Sequence, residues 1–193
     1  MMSKEKKEEI KEIKDIDAVS KQKKIKTVFA VDNVYSDTQE AMDLYSKSRF
    51  GEVKDGRVFY SLVEAMYLLE QKKTDLIYEK KKLKHEEFLK LARKQEPNFN
   101  VRYAVFKDLR SRGYIVKTAL KFGADFRVYD RGVKPGEDHA KWIVFPVHET
   151  EVMSMYEFSA KNRVAHSTRK KLLLAVVDAE NDVTWYEVSW IKP

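Results

Sequence analysis

The sequence contains no cysteine. Disulfides and thiolate metal sites are therefore excluded, and the composition suits a reducing interior. Proline and glycine are scarce, at 4 and 6 of 193 residues. Collagen-like repeats and long flexible linkers are excluded on that count, and each Pro or Gly that does occur marks a turn or break. No apolar run approaches the roughly 20 residues needed to cross a bilayer. The N-terminus is a Lys/Glu run without an apolar segment, unlike a secretory leader. A soluble, cytoplasmic protein is expected. The chain also lacks a Gly-rich phosphate loop, an HExxH pair, a GxSxG elbow and an EF-hand loop. His139 and His166 lack a spacing that would gather metal ligands on one element, so no metal or other cofactor is expected.

What is present is a basic, foldable chain. Apolar residues make up 43%, enough for a packed core. The formal net charge is +7, which favours a polyanionic partner such as a phosphate backbone. A solvated Lys/Glu surface of the kind heat-adapted proteins carry explains the same numbers.

The expected fold class is α/β (α+β), in three segments. Residues 1–26 form a charged arm, in which Ile10, Ile13 and Ile16 are too sparse for a buried helix face. Residues 27–97 form a small mixed domain. Thr27–Val34 reads as one strand, Asp37 or Thr38 caps a helix to about Ser48, and Val58–Tyr60 is a short strand. Ser61-Leu-Val-Glu64 is a capping box opening a second helix. Asp75–Tyr78 reads as a strand and Lys84–Lys94 as a third helix. Glu96-Pro97-Asn98 breaks the pattern and sets the boundary. Residues 98–193 begin with a helix from Phe99 to Arg112. Strands follow at Tyr114–Thr118, Ala124–Asp130 and Trp142–Val147, then a helix over Ser154–Ser167. A hairpin of Lys171–Asp178 and Val183–Trp190 closes the chain. That order predicts a central sheet covered by helices.

Three side chains stand at element ends in this basic second half: Tyr129 closes a strand, His139 ends a Gly/Pro-punctuated loop, and Lys170 opens the last hairpin. Such a set can cleave RNA without metal. The ribose 2′-hydroxyl is the nucleophile, so the protein needs only a base, an acid and a cation. Imidazoles titrate near neutrality, at roughly 6.5 in model peptides, and suit the acid. A phenol, at about 10, is a poor base unless positive charge stands nearby. Arg169, Lys170 and Lys171 can supply it. DNA lacks the 2′-hydroxyl, so such chemistry selects RNA. Taken singly, each residue also fits an ordinary structural part: a half-packed strand tyrosine, a solvated loop histidine, a basic strand edge.

Longer phrases add to these residues. DLRSRGYIVKTALKFGADFRVYDRG, the EDHAKW loop, RVAHSTRKKLLLAVVD and the closing WIKP resemble the catalytic domain of archaeal tRNA-splicing (tRNA-intron) endonucleases. YSKSRFGE and FYSLVEAMYLLE are similar, more loosely, to that family's N-terminal domain. The resemblance implies a restriction-endonuclease-like C-terminal domain with a central mixed sheet flanked by helices. It implies Tyr129 as general base, His139 as general acid and Lys170 as transition-state stabiliser. It implies a precursor tRNA substrate cut at both intron borders within a bulge–helix–bulge, without metal, leaving 2′,3′-cyclic phosphate and 5′-hydroxyl ends. It also implies a clamp on a bulged base. Arg163 matches one clamp position, and Trp185 falls near the other, where it can stack on a base or serve instead as a hairpin cross-strand residue.

Two cuts across a helix need two active sites. The resemblance implies a four-subunit particle, joined through the apolar Val183–Ile191 strand and the acidic turn of Asp178, Glu180 and Asp182. A homotetramer is the simplest form, and a heterotetramer with a structural paralogue is the alternative. Two other classes compete. A metal-dependent DNA nuclease would need a carboxylate cluster, for which Asp125 and Asp130 are a weak basis. A non-catalytic RNA-binding or assembly subunit would not need the complete set of three.

Overall fold

The computed structural model describes residues 23–30, 33–136 and 138–191. Most of the expected charged arm, residues 1–22, lies outside them. Ile25 and Lys26 belong not to an arm but to the first strand, β1 (Ile25–Ala30), whose residues alternate buried and exposed. The single strand expected over Thr27–Val34 is two: β1 and β2 (Asn33–Ser36) pair antiparallel, Phe29 opposite Val34.

Side-chain caps start the next helices where the sequence placed them. Thr38 accepts a hydrogen bond from the Ala41 N–H and opens α1 (Gln39–Ser48). Ser61 and Glu64 form a reciprocal capping box at α2 (Leu62–Glu70). Between these helices lies the hairpin of β3 (Glu52–Lys54) and β4 (Arg57–Tyr60). After α2 come β5 (Thr74–Tyr78), β6 (Lys81–Lys82) and α3 (His85–Gln95). The strands form one six-stranded sheet in the order β3-β4-β2-β1-β5-β6, with β1 and β5 parallel.

The second half opens with α4 (Phe99–Ser111). Its sheet holds β7 (Ile115–Thr118), β8 (Phe126–Tyr129), β9 (Trp142–His148), β10 (Lys171–Val177) and β11 (Val183–Val188) in the order β11-β10-β9-β8-β7. The β9–β10 pair is parallel, because α5 (Met155–Ser167) carries the chain back between them. The two faces of this sheet are covered by different helices. Val105, Phe106 and Leu109 of α4 share a core with Phe126, Val128, Val144 and Ala175. Ala165 of α5 packs with Ile143, Phe145 and Leu172 on the opposite face. This period-2 division of strand residues between two helices is the predicted central sheet with a helical cover.

The two sheets fall on either side of Pro97, yet their apolar cores are continuous. The first core runs from Phe29, Met66 and Phe88 through Phe99 and Phe106 to Phe126 and Val177. Polar ties cross the same seam. The Arg110 guanidinium donates to the Ser48 carbonyl at 3.0 Å and lies over the Phe50 ring, and the buried Lys117 ammonium donates to the Gly51 carbonyl. Burial holds the Lys117 ammonium below the usual lysine range. Among the described residues, no helix is long and apolar enough to cross a membrane.

Candidate active site

Three separate devices fix the three candidate side chains. Tyr129 is the last residue of β8, paired with Ile115 of β7 and buried.

His139 sits on the loop from Asp130 to Lys141, which both ends hold in place. At the start, Asp130 accepts the Arg131 N–H at 3.0 Å and pairs with the Lys141 ammonium at 2.7 Å. The Lys141 contact and the Arg131 N–H hold the Asp130 carboxyl below its usual range. At the return, the Lys141 N–H bonds to Val128 O at 2.9 Å, and Lys141 O accepts the Lys171 N–H at 3.0 Å. Lys141 thus stitches β8 to β10. Ala140 beside it is buried, while His139 is exposed. The Asp138 carboxylate accepts the His139 N–H at 2.6 Å.

Lys170 is placed by the end of α5. Arg169 adopts a left-handed conformation, φ 54°. Its N–H reaches His166 O, and the Lys170 N–H reaches Ala165 O at 2.8 Å. That is a Schellman motif, with Lys170 the second residue past the cap. Its ammonium donates to Thr168 O at 2.8 Å.

These devices bring Tyr129, His139 and Lys170 to the wall of one cleft of about 420 Å³. Arg127, Gly136, Asp138 and Ala140 complete the lining. Arg127 was not singled out from the sequence. The available signal was its position two residues before Tyr129, which on a strand means the same face. Among the described residues, no three His, Asp or Glu side chains cluster as metal ligands.

Both halves of the chain match known proteins in sequence. The N-terminal domain of tRNA intron endonucleases matches residues 25–89, and the catalytic C-terminal domain of tRNA intron endonucleases matches residues 99–185. The chain belongs to the tRNA intron endonuclease family. As a member of that family it is an endonuclease. It is 44% identical over 162 residues to a tRNA-splicing endonuclease of Thermococcus onnurineus, covering 83% of this chain and 93% of that protein. Identity is 46% over 162 residues, 83% and 95% of the two chains, with a protein of the same name from Thermococcus kodakarensis. It is 49% over 138 residues, 68% and 88%, with one from Nanoarchaeum equitans.

Within one chain of this endonuclease, Arg163 and Trp185, the expected clamp residues, stand apart. Trp185 pairs with Ala175 across β10–β11 and packs on the α4 face, and its indole N–H donates to Asp108 of α4 at 2.9 Å. Arg163 lies on α5, across the sheet, exposed over the Tyr156 ring. It lines a second cavity with Phe158, Asn162, His166 and Trp190. The reason is strand alternation. Trp185 stands directly opposite Ala175, whose side chain faces α4, so within one chain position 185 does not face α5. Trp185 is the hairpin cross-strand residue.

Proposed function

We propose that this endonuclease cuts precursor tRNA at both intron borders, within a bulge–helix–bulge, by metal-independent transesterification. The observation that supports this most directly is the convergence of Tyr129, His139 and Lys170 from a strand, a loop and a helix end on one cleft. The Tyr129 oxygen takes the proton of the ribose 2′-hydroxyl. The O2′–P bond forms as the P–O5′ bond breaks. His139, on the exposed wall, gives a proton to the departing 5′-oxygen, leaving a 2′,3′-cyclic phosphate and a 5′-hydroxyl. Lys170 stands against the charge that builds on the non-bridging oxygens. The cations of Arg127 and Lys170 line the same cleft and attract the phosphodiester. Arg163, exposed on α5, is placed to touch RNA beyond the cleft. The substrate meets the enzyme in the cytoplasm.

Two cuts require two clefts, hence at least two copies of this chain; the particle proposed is a homotetramer, with a heterotetramer with a structural paralogue as the alternative. Tyr186, Trp190 and Ile191 at the chain's end are exposed apolar side chains suited to a subunit contact. In the acidic turn, Asp178 is occupied internally, accepting the Glu180 and Asp182 N–H groups at 3.0 and 2.8 Å. The carboxylates of Glu180 and Asp182 are left on an exposed tip.

The test is single-turnover cleavage of a bulge–helix–bulge RNA with excess EDTA. His139→Ala and Lys170→Ala each lower the rate by roughly a hundred- to a thousandfold, with far smaller changes in RNA affinity. Rates within severalfold of the parent in both variants, or loss of parent activity in EDTA, would remove this assignment.

A further inference from the structure

Among the described residues, Arg127 has no acidic partner that accounts for its position. It lies on β8, opposite Lys117 of β7 and Ile143 of β9. A lysine directly across the strand pair repels it. Its Nε is sealed from solvent and meets no hydrogen-bond acceptor among the described residues. No carboxylate there lies within ion-pair distance of it. The acids on the adjoining loop are engaged elsewhere: Asp138 accepts the His139 N–H, and Asp130 pairs with Lys141. A half-buried guanidinium beside a like charge, without an acid, weakens the fold. Yet it lines the cleft that holds Tyr129, His139 and Lys170.

We infer that Arg127 is a catalytic residue of this cleft: its guanidinium fork binds the non-bridging oxygens of the scissile phosphodiester. Two residues along one strand set side-chain origins about 7 Å apart on one face. That spacing leaves room for a phosphate between the phenol, which takes the 2′-proton, and the guanidinium, which takes the phosphoryl oxygens. The planar fork matches a phosphodiester's two free oxygens in a way an ammonium does not. Lys170 enters from the end of α5, on another wall. The anion is thus met by two cations from different elements. Binding supplies acceptors to the terminal N–H groups of the fork, which meet no carboxylate among the described residues.

The inference rests on the proposed cleavage reaction, and its test separates the two. The probe for binding is a bulge–helix–bulge RNA with 2′-deoxyribose at each splice-site nucleotide, which binds and cannot be cut. Its Kd is measured across a salt series for the parent, Arg127→Met and Arg127→Lys. Single-turnover cleavage of the all-ribose RNA is measured alongside, with His139→Ala as control and thermal melts of every variant. Arg127→Met lowers the cleavage rate by roughly a hundred- to a thousandfold. It also reduces the slope of log Kd against log salt by about 0.7 to 0.9, the share of one phosphate contact, which a purely structural role would leave unchanged. Arg127→Lys keeps the slope and recovers only part of the rate. If Arg127→Met cleaves within threefold of the parent with an unchanged slope, while His139→Ala is a hundredfold slower, the role of Arg127 is overturned and the reaction stands. If His139→Ala also cleaves normally, the reaction itself is wrong. Should Arg127→Met not fold, Arg127→Lys decides: a parental rate overturns the role, and a loss of tenfold or more with an unchanged melt supports it.

Discussion

Gly51 and Glu64 show how single residues hold the scaffold behind the cleft. Gly51 has φ +74°, and a Cβ added there would lie 2.5 Å from Val58 Cγ1 and 2.7 Å from the Phe59 carbonyl oxygen. Both backbone sign and space require glycine. The buried Glu64 carboxylate accepts the Gly51 N–H at 2.8 Å, the Ser61 N–H at 3.0 Å and the Ser61 hydroxyl at 2.9 Å. The sequence revealed the Ser61–Glu64 cap, since both partners lie within one helical turn. It did not reveal the Gly51 bond, which closes only when the β3–β4 hairpin folds over α2. Glu64→Ala strands two backbone donors and is expected to cost about 2–4 kcal/mol in urea unfolding. Gly51→Ala is expected to cost about 2 kcal/mol or more by the same measurement. A change below about 0.5 kcal/mol in either would show that the seam relaxes freely.

At the scale of elements, the end of α5 governs the Lys170 wall of the cleft. The Schellman turn needs a left-handed residue, and Arg169 supplies it at φ 54° without being glycine. Arg169→Gly is expected to raise stability by up to about 1 kcal/mol, and Arg169→Val to lower it by about 1–2 kcal/mol. Equal melting temperatures for the two variants would contradict the motif's role. The longer strands and helices were legible because a buried face repeats with period 2 or 3.6. Strands β3 and β6 were not. They are three and two residues of mostly charged sequence, exposed throughout, and hydrogen bonds to β4 and β5 alone define them. No side-chain pattern marks a strand that buries nothing. The break between β1 and β2 was missed because β-branched and aromatic residues continue on both sides of it.

At the scale of the whole molecule, one polar cluster ties α2 to α4 across the two sheets. Glu70, at the end of α2, accepts hydrogen bonds from the Tyr103 hydroxyl and from the Lys107 ammonium at 2.6 Å. Burial pushes the Glu70 carboxyl up, but the Lys107 and Tyr103 hydrogen bonds outweigh it and leave the group below its usual range. Burial, then Glu70, pushes the Tyr103 phenol well above its ordinary value. The signs follow. A lowered carboxyl stabilises the fold at pH above its unfolded value, about 4.3, and that contribution is lost as pH falls through the folded value. A raised phenol stabilises the fold below about pH 10, and the contribution is lost as pH rises beyond it. Glu70→Gln is therefore expected to lower the melting temperature at pH 7 and to flatten its decline between pH 5 and 3. Parallel melting curves for parent and variant over that range would show that the cluster does not couple the halves.

The chain's local order set its caps, its helices, its longer strands and the phrases around Tyr129, His139 and Lys170, because those signals pass between residues no more than a turn or a strand apart. Which side chains meet was decided by strand order and register, which arise only when α4 and α5 close on opposite faces of one sheet. That closure gathers the phenol, imidazole and ammonium into one cleft, adds Arg127 to them, and turns Trp185 away from Arg163. The physical reason is that burial of apolar surface across distant segments, not local propensity, selects the packed arrangement.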